Sequence, residues 1–349
     1  MRGLLIVNPQ ATSTTGSDVD LVARSLDGLV DLQIAYTRYR GHARELAAAA
    51  TEDLVIVLGG DGAINEVVNG LMEARHPDQG PEVRPMLAVI PGGGGNVFAR
   101  ALGLPPVPAR AVARIRELLA AGDHRTIGLS LAGDRYFTFS AGVGMDAEVV
   151  RDVEELRARG RRESQALYIR MIVHRYYAGT DRRHPALTLE RDGQPPVGEL
   201  FMSVVTNSAP WTYLRGRAVL PQPDADFSSG LDAFALSRLT MPVILGAVGE
   251  MLRTRARNRV PRGRHMVTAQ RLDSLTIRSS RPIAFHVDGE YLGEIESVKF
   301  QFVPSALRVV APSQGLARGL RDGPPGWSGG RSPGLARGSG GRSPRVNGQ

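Results

Sequence analysis

Three stretches of this chain combine glycine, aspartate and asparagine in ways that suit phosphate chemistry. The first is Gly59-Gly60-Asp61-Gly62, which follows a continuous apolar run over 54–58 and precedes Ile64, Val67, Val68 and Leu71. The run reads as a buried strand and the later spacing as a helix. Unpaired backbone N–H groups at such a junction can donate to a polyphosphate, and glycine allows close approach. Asp61 is repelled by phosphates unless a cation lies between them, which implies Mg²⁺ held largely through water. The competing reading is an Asp-Gly turn of a β-hairpin. The second stretch, Pro91-Gly92-Gly93-Gly94-Gly95-Asn96, follows another apolar run over 86–90. Its glycines suit backbone lying flat against a nucleotide, while Asn96 either meets the ligand or caps the next helix. The third, His286-Val287-Asp288-Gly289-Glu290, lies far down the chain. Local rules read it as a two-residue hairpin turn. The chemical reading has Asp288 orienting or deprotonating an attacking hydroxyl, for which an ordinary carboxylate suffices in phosphoryl transfer. Neither glycine loop is a Walker A loop or a G-x-G-x-x-G fingerprint.

Strands over 4–8, 32–37, 54–58 and 86–90 alternate with helices near 17–26, 41–50, 61–71, 97–102 and 107–121. That alternation predicts a three-layer α/β domain with a parallel sheet, its ligand beyond the carboxyl ends of the strands. Asn8-Pro9 and both glycine loops fall at such ends. From about 124 the pattern turns to strands. A hairpin is expected over 125–132 and 136–141, then helices over 147–159 and 164–178. Strands follow over 186–190, 200–206, 231–236, 265–272, 274–278, 285–287, 298–302 and 307–310, interrupted by a helix over 241–255. This half reads as an antiparallel β-rich domain of sandwich type. The expected division is 1–123, 124–312 and a disordered tail over 313–349, rich in Gly, Pro, Ser and Arg.

Composition narrows the class. With 42% hydrophobic and 22% charged residues among 349, the chain reads as globular with room for two domains. The absence of cysteine excludes disulfides and thiolate metal sites and points to the cytosol. The longest apolar run, 241–252, is too short to span a bilayer. Of the net charge of +8, the tail carries six Arg and one Asp. Charge therefore argues for no specific nucleic-acid partner in the folded part. A second basic run at 253–264, with six Arg, is either a solvated helix end or a contact with anionic membrane.

Together these elements resemble the diacylglycerol kinase catalytic-domain family, which includes bacterial lipid kinases, ceramide kinases and sphingosine kinases. The resemblance rests on Asn8-Pro9, Thr37 with Gly41-His42-Ala43, GGDGAINEVVNGL, PGGGGNVFARALGLP and the late VDGE, in the family's order over residues 1–312. It implies an active site in the cleft between the two domains. Asn8, Pro9, Thr37, Gly59, Gly60, Gly62, Gly92, Gly93, Gly94, Gly95 and Asn96 would surround ATP, with Asp61 near the phosphates and Mg²⁺. Asp288 would be the general base and Glu290 its support, although sphingosine kinases give the base role to the aspartate matching Asp61. The chain departs from the family at Ala63 and at Gly94-Gly95, where relatives carry hydroxyl residues. At roughly 1.5–3 kcal/mol per lost bond, ATP would bind about two to four decades more weakly unless backbone donors compensate. Ser229-Gly230-Leu231-Asp232 also departs from the Asp-Gly-x-Leu-Asp that accompanies a structural Mg²⁺ in some relatives.

The expected activity is ATP- and Mg²⁺-dependent phosphorylation of a hydroxyl of diacylglycerol or a related lipid. The protein would work in the cytoplasm at the inner membrane surface, as a homodimer if it follows bacterial relatives. Trp211, Tyr213, Leu214 and the helix near 241–252 are candidates for the apolar slot, against ordinary core packing. A kinase of a soluble substrate, similar to NAD kinases, and a nucleotide-binding module without catalysis are the alternatives. His42 reads as a helix-start residue lining the cleft rather than a catalyst.

Overall fold

The computed structural model describes residues 1–9, 15–73, 84–161, 165–214, 216–222, 225–257 and 259–313. The tail expected to be disordered lies, from 314 on, outside the described residues. In the first lobe, β1 (Arg2–Val7), β2 (Asp31–Tyr36), β3 (Leu54–Gly59) and β4 (Met86–Pro91) run parallel in the order β4-β3-β1-β2. Every residue of β3 is buried, as in a parallel strand covered on both faces, whereas edge strand β2 is largely exposed. Helix α1 (Gly16–Leu26) packs against α5 (Pro108–Ala121), and α2 (His42–Ala48) against α3 (Asp61–Glu73). Their sequences carry the expected boundary signals: a Thr15–Asp18 capping box opens α1, and Pro108 and left-handed Gly122 bracket α5. The short α4 (Val97–Ala101) follows the second glycine loop.

The second lobe contains β5 (Arg125–Ala132), β6 (Arg135–Phe137), β7 (Ser140–Gly144), α6 (Met145–Ala158), α7 (Gln165–Ala178), β8 (Leu187–Arg191), β9 (Gln194–Leu200), β10 (Met202–Thr206), β11 (Thr212–Leu214) and β12 (Arg217–Val219). It ends with β13 (Leu231–Leu236), α8 (Met241–Arg257), β14 (Met266–Leu272), β15 (Ser274–Val287) and β16 (Glu290–Val309). Three features differ from expectation. The strand expected over 136–141 is two strands, because the backbone between β6 and β7 turns its N–H groups to another partner, described below. The four short strands expected over 274–310 are two long ones, whose polar middle residues face solvent and hide the continuity. Finally, β9 lies in a stretch where no strand was expected and contains Pro195-Pro196; it pairs with β8 at an edge that tolerates proline.

One hydrogen-bonded path joins the lobes, in the order β14-β13-β10-β7-β15-β16-β4-β3-β1-β2. The end of β16 aligns parallel to β4 at Val309 and Leu87, and Val310 N donates to Leu87 O at 2.8 Å. Leu307, Val309, Val310 and Ala311 thereby join Ile127 and Leu129 in the core of the first lobe. A second core surrounds Val143, Phe285, Val287 and Phe300. The fold thus carries the turn between β15 and β16 back beside α3, where the chemistry lies.

Candidate active site

The carboxyl ends of β1 to β4 form one rim. Asn8 N donates to Leu58 O at 3.1 Å, Thr37 N to Val7 O at 2.9 Å and Gly92 N to Gly59 O at 2.7 Å, so the ladder continues one step past each strand. The two glycine loops touch: a Cβ on Gly93 would lie 2.7 Å from Gly60 Cα. That contact requires both glycines whatever else binds. Gly62 and Gly94 instead face open space, with nothing within 4 Å of a Cβ placed on either. The hairpin reading of Gly59-Gly60-Asp61-Gly62 gives way to a helix that starts at Asp61. The first intrahelical bond of α3 runs from Ile64 N to Gly60 O. It leaves the amides of Gly62 and Ala63 ahead of the ladder, as at any helix start.

Asp61 joins the two loops. Its Oδ2 accepts from Val97 N at 3.1 Å and its Oδ1 from Phe98 N at 3.2 Å, capping α4 from another helix. Gly95 makes room for this, since a Cβ there would lie 3.1 Å from Asp61 Oδ2. The capping role expected of Asn96 therefore belongs to Asp61. Asn96 is left-handed, with φ 49°, and closes its own loop: its Oδ1 accepts from Gly93 N at 2.9 Å and its Nδ2 donates to Gly93 O at 2.7 Å.

At the late motif the turn reading holds. Asp288 (φ 47°) and Gly289 (φ 79°) make the two-residue turn between β15 and β16. The Asp288 side chain is nevertheless buried, 4% exposed, and collects donors from both lobes. Its Oδ2 accepts from Asn65 Nδ2 at 2.8 Å, Thr138 N at 2.7 Å and Thr138 Oγ1 at 2.8 Å. Its Oδ1 accepts from Phe139 N at 3.0 Å and Ser140 N at 3.1 Å. These are the N–H groups withheld from the sheet between β6 and β7. Burial pushes the Asp288 carboxyl above the usual carboxylate range, while the Phe139, Thr138 and Ser140 amides and Asn65 pull the other way.

Glu290 reaches Asp288 only through intermediaries. Its Oε2 accepts from Arg135 Nη2 at 2.9 Å, and Arg135 Nε donates to Asn65 Oδ1 at 2.9 Å. A guanidinium can only donate, so Arg135 fixes which end of the Asn65 amide faces it and leaves Nδ2 to donate to Asp288. Asn69 Nδ2 also donates to Asn65 Oδ1, at 3.1 Å, and the second Asn65 N–H goes to Tyr136 O at 2.9 Å. From the first lobe Arg40 Nε donates to Glu290 Oε1 at 2.8 Å, tying the β2–α2 loop to the turn. Below the turn, His286 Nδ1 accepts from Gly289 N at 3.4 Å, leaving Nε2–H for Asp146 Oδ2 at 2.7 Å.

Sequence reasoning placed Asp288 and Glu290 but assigned no role to Asn65, Asn69, Arg135 or Thr138. The signal for the first two was present: amides four residues apart on the buried face of an otherwise apolar helix. His42 sits at the start of α2 as expected, its Nδ1 accepting from Arg38 N at 3.1 Å and its ring stacked on Tyr39. Trp211 and Leu214 pack with Val243, Ile244 and Leu252 against a third core around Phe234 and Met251, while Leu245 of α8 is 63% exposed. Parts of the basic run at 253–264 lie outside the described residues. Asp232 is buried in β13 and accepts from Arg271 N at 2.9 Å.

Residues 2–128 match the model of the diacylglycerol kinase catalytic domain. The diacylglycerol kinase of Staphylococcus carnosus (strain TM300) is 30% identical over 316 residues, covering 84% of this chain and 90% of the relative. That of Bacillus subtilis (strain 168) is 28% identical over 276 residues, covering 78% and 82%. Among solved structures, a putative diacylglycerol kinase from Bacillus anthracis str. Sterne superposes with a TM-score of 0.69 at 22% identity, over 90% of this chain and 98% of that one. An NAD kinase from Archaeoglobus fulgidus in complex with ATP shares the fold more distantly, with a TM-score of 0.51 at 10% identity, over 92% and 99%. The chain belongs to the diacylglycerol kinase family, whose members transfer phosphate to a hydroxyl group.

Proposed function

We propose that this protein is an ATP- and Mg²⁺-dependent kinase that phosphorylates a hydroxyl of diacylglycerol or a related lipid at a membrane surface. The observation that carries the reading is Asp288, a buried carboxylate on which donors from both lobes converge beside α3. On this reading the Gly62 and Ala63 amides and the exposed Gly94 turn take the phosphate chain, with Asn8, Pro9 and Thr37 on the same rim. Asp288 takes the proton of the lipid hydroxyl, which enters by displacing one of the two side-chain donors, Asn65 or Thr138. Its burial supports the base role, because it raises basicity toward neutral pH. Mg²⁺ fits the donor set at Asp61, one carboxylate beside phosphates with water completing the shell. It would neutralise charge on the transferred group. Among the described residues no cluster of three or more Asp, Glu or His side chains could hold a metal ion, and a nucleotide-borne Mg²⁺ needs none.

The lipid enters from the second lobe. No helix among the described residues is long and apolar enough to cross a membrane. Exposed Leu245 on α8, with exposed Arg253 about two turns further along the same helix, suits an apolar slot with a cationic rim. The decisive assay follows labelled γ-phosphate from ATP into solvent-extractable product in diacylglycerol mixed micelles. Label in the lipid phase supports the reading. Transfer only to NAD or a sugar phosphate would replace it with a soluble-substrate kinase, and ATP binding without any transfer would replace it with a non-catalytic module.

Two glycine variants test the cradle itself. Gly62→Ala meets no neighbour and gains about 1 kcal/mol of helix propensity, so it should melt no earlier than wild type yet bind ATP about tenfold more weakly. Gly93→Ala collides with Gly60 and should cost about 1–3 kcal/mol of stability by overpacking. Thermal melts and calorimetry on both variants check these expectations. Undiminished ATP affinity in Gly62→Ala would move the phosphates away from the start of α3.

A further inference from the structure

The seam between the lobes contains an arginine, Arg100, that lies over an aromatic ring. α4 is pinned to the second lobe at two points: the Phe98 ring meets Phe227 edge-on at 5.6 Å, and the Arg100 guanidinium carbon lies 3.1 Å above the centre of the Tyr213 ring. Arg100 is half-buried and close enough to Asp61 to feel its charge. Among the described residues its side chain makes no hydrogen bond and no ion pair. Arg135, Arg151 and Arg175, by contrast, each pair with a carboxylate, Glu290, Glu294 and Asp152 in turn. A guanidinium over an aromatic face leaves its N–H groups to other partners. The Arg100 side chain therefore presents a fork whose N–H groups are not hydrogen-bonded among the described residues.

Its position selects the anion. Arg100 is one helical turn past Val97, whose N–H is held by Asp61, and Asp61 opens the helix whose first amides face the phosphates. Tyr213 stands on the side of the second lobe, from which the acceptor hydroxyl arrives. A phosphate chain laid from the amides of Gly62 and Ala63 past Asp61 brings its far end to Arg100. We propose that Arg100, held over the Tyr213 ring, receives the terminal phosphoryl group of the bound nucleoside triphosphate. The proposal rests on the nucleotide reading of the site and adds a residue to it. It also supplies what Ala63 and Gly94-Gly95 lack, with a forked cation in place of two hydroxyls. Charge spread over the three equatorial oxygens of a loose transition state favours such a donor.

Calorimetry on the full chain tests this with ATP, ADP and tripolyphosphate as probes. Arg100→Met should weaken ATP and tripolyphosphate about 10- to 100-fold and leave ADP unchanged. Tyr213→Leu removes the ring and should weaken ATP relative to ADP in the same direction as Arg100→Met, by a smaller factor. Arg100→Lys keeps the charge without the fork, so its preference for ATP over ADP should fall between those of wild type and Arg100→Met. It also serves as the decisive variant should Arg100→Met fail to fold. ATP binding by Arg100→Met equal to wild type, or equal losses of ATP and ADP, overturns the proposal and leaves the kinase reading standing. A wild type that binds tripolyphosphate through Arg100 but does not bind ATP keeps the anion subsite and removes the nucleotide.

Discussion

Asp288→Asn should bind ATP as wild type does and lose about 10²–10⁴-fold in phosphate transfer to lipid. The substitution removes the charge and the proton-accepting ability in one step. It also disturbs a hub. Five donors occupy the two carboxylate oxygens, and an amide in either orientation turns its NH₂ toward at least two of them. Breaking a buried charged network of this kind costs about 3–5 kcal/mol, so the melting temperature should fall as well. ATP calorimetry separates the two effects, because the proposed nucleotide rim belongs to the first lobe while Asp288 hangs from the β15–β16 turn. Simultaneous loss of ATP binding and transfer would make Asp288 an organiser of the seam and not the base. The pH dependence gives a second check. A base must be ionised, and burial raises the Asp288 carboxyl, so wild-type kcat/KM should rise with pH through a limb above the ordinary carboxylate range. The residual activity of Asp288→Asn should lack that limb. Thr138→Val, which removes one donor and keeps the carboxylate, should retain both the limb and most of the activity.

The parts legible in the sequence are those whose signal is local. The parallel sheet follows from apolar runs such as that over 54–58, buried on both faces and bounded by glycine. The helix at Asp61 follows from Ile64, Val67, Val68 and Leu71, which outweigh the Asp-Gly pair in deciding against a turn. Family resemblance singled out Asp288, but its setting was not legible. The donors at Thr138, Phe139 and Ser140 come from backbone about 150 residues earlier in the chain. They are free to donate only because the sheet breaks there, and a sheet break left no mark in the composition of 136–141. The chain from Glu290 through Arg135 to Asn65 is illegible for the same reason, since each link spans 70 residues or more. The glycines were over-read in one respect. Gly60 and Gly93 are bare because two loops pack backbone to backbone, and only Gly62 and Gly94 keep the open approach that a ligand needs.

The paired variants Asp61→Asn and Asp61→Ala should part company, and the way they do so identifies what the carboxylate is for. In the structure Asp61 accepts from Val97 N and Phe98 N and so caps α4. Asparagine caps as well as aspartate, whereas alanine costs about 0.5–2 kcal/mol. If capping were the whole role, Asp61→Asn would melt and turn over like wild type, and Asp61→Ala would be somewhat less stable. A carboxylate beside a polyphosphate has a second consequence. Without a cation it repels the ligand, and with one it anchors the cation to the protein. Asp61→Asn should therefore keep the wild-type melting temperature and lose about 10²-fold in transfer, with half-maximal activity displaced to higher Mg²⁺. The same variant should bind ATP at least as tightly as wild type when Mg²⁺ is withheld, because a negative charge beside the phosphates has gone. Titrating Mg²⁺ against activity, and ATP against each variant with and without the metal, checks both expectations. Full activity in Asp61→Asn would reduce Asp61 to a helix cap. Glu290, at the same seam, would then be the candidate to bring the metal to the phosphates.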